Sequence, residues 1–162
     1  MTHMFGYPAQ IEEIKEVCKK YDLFLIEDAS HAHGAEINGK KVGTYGDISC
    51  FSLHQRKSLS VGDGGLLCTN KEEIAEKVYR LRSFGHKELS YNYRMTEFAG
   101  ALGKCGLAKL DEQNENRQKN ALYLSENLKS SDKVKVRLPR KQEKGVYHAV
   151  LLDVLETWTN FN

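Results

Sequence analysis

Short apolar runs alternate with longer amphipathic stretches in the first half of the chain. Apolar residues recur at helical spacing from Ile11 to Cys18, just after Pro8, and predict a helix over about residues 9–20. The continuous run Leu23–Ile26 is typical of a parallel strand that is covered on both faces. The pattern predicts two further strands, at Ile48–Leu53 and Leu66–Thr69.

Helical spacing returns after the third predicted strand. Ile74, Val78 and Leu81 would share one face of this second helix. Asn70 is the expected N-cap, and Glu73 lies where it would complete a capping box.

The pattern stays helical from residue 96 to about residue 128, with Thr96 as the expected N-cap. Gly103 and Gly106 indicate either a break or a close helix contact within this stretch. Weak alternation then predicts strands of a different layer, at Val134–Val136 and Val146–Val154. Strands that alternate with helices indicate an α/β layered fold with a mostly parallel sheet.

Composition excludes several classes of protein. The chain has 162 residues and a net charge of +2, from 24 basic and 22 acidic side chains, so nothing favours nucleic acid as a partner. No apolar stretch approaches the roughly 18 residues that span a bilayer, and no membrane association is expected. The four cysteines form no CxxC pair, which favours buried, reduced thiols in a cytoplasmic protein over zinc or disulfides.

Three polar residues follow the predicted strands in an order that suggests cofactor chemistry. Asp28 ends the first apolar run, Ser52 ends the second strand, and Lys57 precedes the glycine-rich loop Gly62–Gly65. An aldehyde cofactor with an aromatic nitrogen and a phosphate needs a lysine, a carboxylate and a hydroxyl. Each residue alone has an ordinary alternative: a turn aspartate, a solvated lysine, and a serine that satisfies backbone groups.

His31 and His33 form an H-x-H pair. A metal site is disfavoured because no Asp, Glu or Cys lies at a supporting spacing. A ring contact to a cofactor is the favoured role of His31.

The joint order of these residues resembles the DegT/DnrJ/EryC1/StrS family of sugar aminotransferases, which depend on pyridoxal phosphate. The likeness covers roughly residues 1–150. The matching stretches are Thr2–Pro8, Ile26–Ala35, Val42–Asp47, Cys50–Ser52 with Lys57, Gly62–Gly65 and Tyr91–Glu97.

The resemblance implies a role for each candidate. Lys57 would form the Schiff base with pyridoxal phosphate and then act as the base, Asp28 would pair with the pyridine nitrogen, and Ser52 would hold phosphate. His31 stands where most members carry a glutamine that contacts the ring hydroxyl. Asn92 matches a residue that reaches the phosphate of the neighbouring subunit's cofactor, which implies a homodimer with shared sites.

The family also implies a fold and a reaction. Residues 1–95 would be part of the large domain of a fold type I aminotransferase, residues 96–130 a helical connection, and residues 131–162 the start of a small C-terminal domain. The reaction would move an amino group from glutamate or glutamine to a keto sugar, nucleotide-linked, or to a cyclitol, in amino sugar, polysaccharide or antibiotic biosynthesis. Members are about twice this length, so a fragment is expected, without the N-terminal phosphate loop. Residues 155–162 match no family pattern.

Two alternatives stay open, and a third is excluded. Some relatives dehydrate sugars with a histidine in place of the lysine; His54 lies nearby, but Lys57 is retained, which favours aminotransfer. The second open alternative is a catalytically silent protein, either a truncated homologue or a dimerisation fragment. A Rossmann dinucleotide site fails because the loop Gly62–Gly65 lacks the GxGxxG spacing.

Overall fold

The computed structural model describes residues 1–84 and 89–155. After a short 3₁₀ turn at Met4–Gly6, the helices are α1 (Ile11–Lys20), α2 (Glu72–Arg82), α3 (Glu97–Leu107) and α4 (Leu110–Asn127). The strands are β1 (Ile26–Asp28), β2 (Glu36–Ile37), β3 (Lys40–Lys41), β4 (Ile48–Ser52), β5 (Gly65–Cys68), β6 (Val134–Val136), β7 (Glu143–Lys144) and β8 (Leu152–Val154).

The central sheet has the order β1-β4-β5 and is mixed. Strands β1 and β4 run parallel, Thr2 adds a parallel bridge to Asp28, and β5 returns antiparallel to β4. Side chains alternate between the two faces of a strand, so the register separates them into two sets. One face carries Glu27, Ser49 and Phe51, and the opposite face carries Asp28, Cys50 and Ser52.

The loop over residues 42–47 is fixed to the Glu27 face. The buried Glu27 carboxylate accepts backbone N–H groups of Gly43 (2.7 Å), Tyr45 (2.7 Å) and Gly46 (2.6 Å). A side chain at Gly46 would lie 2.7 Å from the Leu25 carbonyl oxygen, so only glycine permits this approach.

A buried histidine completes the surroundings of Glu27. The Nδ1 atom of His3 accepts the Ala9 N–H at 3.0 Å, which leaves its Nε2–H to donate to Glu27 at 3.1 Å. Burial alone would raise the pKa of Glu27, but the hydrogen bonds from His3 and the loop amides bring it below its ordinary value.

The first strand differs from its prediction. It runs over Ile26–Asp28 and not over Leu23–Ile26, because the Leu25 N–H donates to the Asp47 carboxylate (2.7 Å) outside the strand ladder. Leu23 and Phe24 are exposed. The predicted strands at Ile48 and Leu66 are confirmed within one residue at each end as β4 and β5.

The helices follow the apolar spacing, whereas one predicted cap is wrong. Helix α2 begins at Glu72, and its N-cap is Lys71, not the predicted Asn70. The Lys71 side chain makes no capping hydrogen bond, and the Lys71 N–H donates to Thr69 Oγ1. The Thr96 cap of α3 is confirmed, since its Oγ1 accepts the Ala99 N–H at 3.2 Å.

The two glycines of α3 mark a close contact, and the helix continues through them. A Cβ on Gly106 would lie 2.8 Å from Leu59 Cδ1, and one on Gly103 would lie 3.3 Å from Val61 Cγ1. The break between α3 and α4 falls later, at residues 108–109.

The predicted strand over Val146–Val154 is wrong in its first part. Only Leu152–Val154 forms a strand, paired antiparallel with β6. Residues 146–149 bind the turn at Phe5–Gly6 instead: the Val146 N–H donates to the Gly6 carbonyl oxygen (2.9 Å) and the Ala149 N–H to that of Phe5 (3.3 Å). Backbone groups used in this way are not available to a sheet. The predicted domain boundaries near residues 95 and 130 stay a prediction.

The main apolar cluster lies between α1, the β1–β2 segment and residue 146. It contains Ile11, Leu25, Ala29, Ala32, Ala35, Ile37, Val42 and Val146. The cysteines are free; Cys68 and Cys105 are exposed, so the prediction of buried thiols is wrong for these two. Among residues 1–84 and 89–155, no helix has the length and apolarity to cross a membrane.

Candidate functional site

The candidate site lies at the carboxyl ends of the two parallel strands. Asp28 ends β1 and Ser52 ends β4, its hydrogen-bonded neighbour. The carboxyl ends of parallel strands meet at one edge of the sheet, where ligands of α/β proteins bind. The fold therefore places the predicted carboxylate and hydroxyl at a common edge.

The segment that follows β4 brings Lys57 to the same edge. The Leu53 N–H donates to the Gly64 carbonyl oxygen (2.8 Å), and the Val61 N–H donates back to that of Leu53 (3.0 Å), which closes a loop. Lys57 lies on this loop, with its N–H donated to the His54 carbonyl oxygen at 2.8 Å. The loop is therefore held at both ends and carries the lysine at its turn.

The Lys57 charge acts on the surrounding titratable groups without pairing with any of them. It lowers the pKa of Asp28, His31, His33 and His148. Within the described part of the chain, no carboxylate oxygen lies within 4.0 Å of its Nζ. The amine and the Asp28 carboxylate thus share one neighbourhood and remain separated.

Asp28 is half-buried and stays ionised. Burial alone would raise its pKa, but hydrogen bonds from the Ser30 hydroxyl and N–H (3.0 Å to Oδ1) and attraction to His31 and Lys57 bring it below its ordinary value. The carboxylate is therefore suited to hold a positively charged N–H group.

His31 is fixed between two rings. Its Nδ1 accepts the Phe5 N–H at 3.2 Å, and its ring stacks on Phe5 (centroids 5.9 Å apart) and on His148 (4.3 Å). Burial, with a further contribution from Lys57, lowers the pKa of His31. Neutral imidazole with Nδ1 occupied as an acceptor carries its hydrogen on Nε2.

Ser52 and Asn92 have different surroundings. The Ser52 Oγ accepts the His54 N–H at 3.3 Å, and its own hydrogen is left to donate. Asn92 lies before α3 and is exposed. Its backbone forms an isolated antiparallel β-bridge with Ser83, and its Oδ1 accepts the Arg94 Nε–H at 3.1 Å. Asp28, His31, Ser52 and Lys57 share one neighbourhood, whereas Asn92 contacts none of these four within the described residues.

Sequence reasoning assigned no role to His148, and it assigned His33 none beyond a disfavoured metal site. His148 follows Tyr147 in a segment whose pattern predicted a strand, and no local signal marks it. Burial lowers the pKa of His33 to about 4, and Lys57 adds to this effect. The H-x-H spacing raised a metal site only as a disfavoured alternative, and the His33 ring lies against Phe51, with centroids 5.6 Å apart.

An apolar cavity of about 380 Å³ lies on the opposite face of the sheet. Its lining includes Phe51, Leu59, Leu66, Cys68, Leu107 and Leu110. Lys57, Asp28 and Ser52 do not line it. The candidate residues therefore lie at the strand ends and not in this cavity.

Comparison with known proteins identifies the class. The family model of the DegT/DnrJ/EryC1/StrS aminotransferase family matches residues 1–161, so the expectation that residues 155–162 match no family pattern is wrong for all but the last of them. The chain belongs to this family.

Individual relatives agree with the family assignment. The chain is 37% identical over 119 residues to GDP-perosamine synthase of Vibrio cholerae, covering 68% of the chain and 32% of that protein. It is 35% identical over 159 residues to a UDP-4-amino-4,6-dideoxy-N-acetyl-beta-L-altrosamine transaminase of Campylobacter jejuni, covering 90% and 42%. The chain spans less than half the length of the curated relatives it matches.

Solved structures share the fold. PseC of Helicobacter pylori, an aminotransferase involved in the biosynthesis of pseudoaminic acid, superposes with a TM-score of 0.89 at 29% identity, covering 94% of this chain and 44% of PseC. DesV of S. venezuelae, determined in complex with a ketimine intermediate, gives 0.88 at 28% identity, covering 94% and 43%. The fold is thus a partial fold type I aminotransferase, with a mixed sheet and flanking helices.

Proposed function

We propose that this chain is part of an aminotransferase that uses pyridoxal phosphate, with Lys57 as the catalytic amine. The observation that carries the proposal is the shared neighbourhood of Lys57, Asp28 and His31. Lys57 acts on the pKa of both other groups, yet its amine is not paired with the Asp28 carboxylate. This arrangement fits a ring that lies between an amine and a carboxylate.

The residues present also fit the individual parts of pyridoxal phosphate. Asp28, ionised and half-buried, would hold a proton on the pyridine nitrogen through a charge-assisted hydrogen bond. The Nε2–H of His31 would donate to the ring hydroxyl, and the Ser52 hydroxyl would donate to the phosphate. Bound pyridoxal phosphate supplies an aldehyde and an aromatic ring that accepts electrons.

Lys57 would have two tasks. Its Nζ would be the nucleophile that holds the aldehyde of pyridoxal phosphate covalently, and as a free amine it would be the base that removes and returns the proton at the substrate Cα. A lysine amine can perform both tasks because its nitrogen lone pair serves as a nucleophile toward a carbonyl carbon and as a base toward a proton.

The named activities of the relatives support a proposal for the substrates. Several are named as transaminases or synthases of GDP-, UDP- and dTDP-linked amino sugars. We infer that the whole protein moves an amino group from glutamate or glutamine to a keto sugar, nucleotide-linked, or to a cyclitol. A homodimer in which Asn92 reaches the neighbouring site, and a cytoplasmic location, belong to the same proposal.

The lysine is tested by trapping. Incubation with pyridoxal phosphate followed by borohydride should give a phosphopyridoxyl adduct at Lys57, located by peptide mass spectrometry. The expected change in absorbance before reduction is a band near 400–430 nm.

The controls separate the alternatives. Lys57→Ala should abolish the adduct, whereas Lys104→Ala, at an exposed position of α3, should leave it in place. An adduct at another lysine refutes the assignment. No adduct at all favours the catalytically silent homologue.

The dehydratase alternative has less support. His54, its candidate histidine, accepts the Arg56 N–H at 3.3 Å within its own turn, while Lys57 has its amine unpaired among the described residues. An amino sugar as the product supports transfer; a deoxy sugar would support dehydration.

A further inference from the structure

We propose that His148 is a positioning residue of the site, which holds His31 in the orientation and tautomer that present an Nε2–H donor to the cofactor. The use of that donor on the ring hydroxyl rests on the proposed function; the positioning itself does not. The proposal assigns a role to a segment far from the motifs that carry the family resemblance.

The first support is the ring stack. His31 lies between Phe5 and His148, with interplanar angles of 29° and 20° and centroid distances of 5.9 and 4.3 Å. His148 is the nearer ring and the more nearly parallel one. It therefore restricts rotation of the His31 ring more directly than Phe5 does.

The second support is the backbone that delivers His148. The segment 146–149 donates two N–H groups to the carbonyls of Phe5 and Gly6. Gly6 has φ +88°, and a Cβ there would lie 2.8 Å from the His148 nitrogen and 3.1 Å from the His31 carbonyl oxygen. Only glycine lets these three backbone segments meet, so His148 is held against His31 by a fixed contact.

The third support is the tautomer. The Phe5 N–H donates to Nδ1 of His31, so this nitrogen carries no hydrogen. A tilt of the ring plane about the Cβ–Cγ bond would carry Nδ1 away from the Phe5 N–H and lose this bond. The stack on His148 holds the ring in its plane and opposes such a tilt, so Nδ1 stays an acceptor and the remaining hydrogen stays on Nε2.

Charged side chains around His31 and His148 influence whether each ring binds a proton. Asp28 attracts and Lys57 repels a proton on His31, while His31, Lys57, Arg117 and Arg56 disfavour a proton on His148. His33 adds a buried ring whose own pKa is about 4. Burial is the largest cause of the lowered pKa of both His31 and His148, so removing one ring should expose the other.

The experiment measures His31 directly in the protein without cofactor. The protein is labelled with ¹⁵N at its six histidines, and the His31 signals are assigned from their loss in His31→Gln. We expect the Nε2–H tautomer at neutral pH in the unsubstituted protein. In His148→Ala we expect a mixture of tautomers and a His31 pKa that rises toward its ordinary value.

Two further variants keep the test decisive. His148→Phe retains a flat ring and should restore the single tautomer, whereas His148→Leu fills the space without a flat ring and should not. If His31 keeps its tautomer and pKa in both the Ala and Leu variants, or shows the Nδ1–H form in the unsubstituted protein, the proposal is wrong.

The outcome is independent of the trapping experiment. Failure to form an adduct at Lys57 would remove the proposed function and leave the positioning of His31 intact. An adduct at Lys57 together with an unchanged His31 tautomer in the His148 variants would support the proposed function and refute the positioning role of His148.

Discussion

Glu27 and Asp28 are adjacent carboxylates on one strand, and their surroundings differ almost completely. Glu27 is fully buried, and three backbone amides and His3 occupy its oxygens. Asp28, on the opposite face, receives hydrogen bonds from Ser30 alone among the described residues and faces Lys57 without pairing. A carboxylate whose hydrogen-bonding capacity is filled by its own chain stabilises the fold, and one left open is available to a ligand.

Removing the Glu27 carboxylate should have the largest effect on stability. Glu27→Ala leaves three buried amides and the His3 Nε2–H without an acceptor and should cost at least about 3 kcal/mol of unfolding free energy. Urea unfolding followed by circular dichroism measures it. Asp28→Ala is the matched control; an equal loss there would break the comparison.

Acid should weaken the Glu27 face through His33 as well. The pKa of this buried ring is about 4 in the folded protein, so between pH 6.5 and 4 the unfolded chain binds a proton that the folded chain does not. The unfolding free energy should therefore decrease as the pH is lowered from 6.5 to 4. This residue alone should account for a decrease of about 3 kcal/mol. Urea midpoints at several pH values measure the slope.

His33→Phe is the control for this slope. It should flatten the pH dependence between 6.5 and 4 relative to the unsubstituted protein. An unchanged slope would mean that His33 is not the group responsible. Below this window Glu27 acts in the same direction, since its pKa is lowered on folding and its stabilisation is lost as the carboxylate is protonated.

Removing the charge of Asp28 should affect ligand binding more than stability. A charge-assisted hydrogen bond contributes about 1.5–3 kcal/mol, so Asp28→Asn should weaken binding of pyridoxal phosphate by about 10- to 100-fold. Absorbance titration measures this, with the exposed Asp63→Asn as control. Equal binding of pyridoxal phosphate by the two variants would show that Asp28 does not contact the cofactor.

The smallest expected change is at Ser30. Ser30→Ala removes the hydroxyl that donates to Asp28, so the pKa of Asp28 should rise while the backbone N–H contact at 3.0 Å remains. The effect on unfolding should stay below about 1 kcal/mol. A ¹³C titration of the Asp28 carboxyl carbon measures the shift, and no rise would show that the hydroxyl does not help to keep Asp28 ionised.

The sequence was sufficient to bring Asp28, Ser52 and Lys57 together, because adjacent parallel strands end at one edge and a short loop links Ser52 to Lys57. It could not reveal Glu27, since a glutamate beside an aspartate shows nothing of the amides that fold back on it from residues 43–46. His148 was equally hidden. Its place depends on backbone hydrogen bonds to Phe5 and Gly6, and no pattern near residue 148 encodes a partner so far along the chain.

The tie between residues 146–149 and the turn at Gly6 also orders events during synthesis. A growing polypeptide carries Asp28 and Lys57 out of the ribosome well before the segment that completes their surroundings. At about 5–20 residues per second, roughly 5–20 s separate the emergence of the lysine from that of His148. During that interval Lys57 lies on its loop without the segment 146–149 beside it. His31 can stack on Phe5 but not yet on His148.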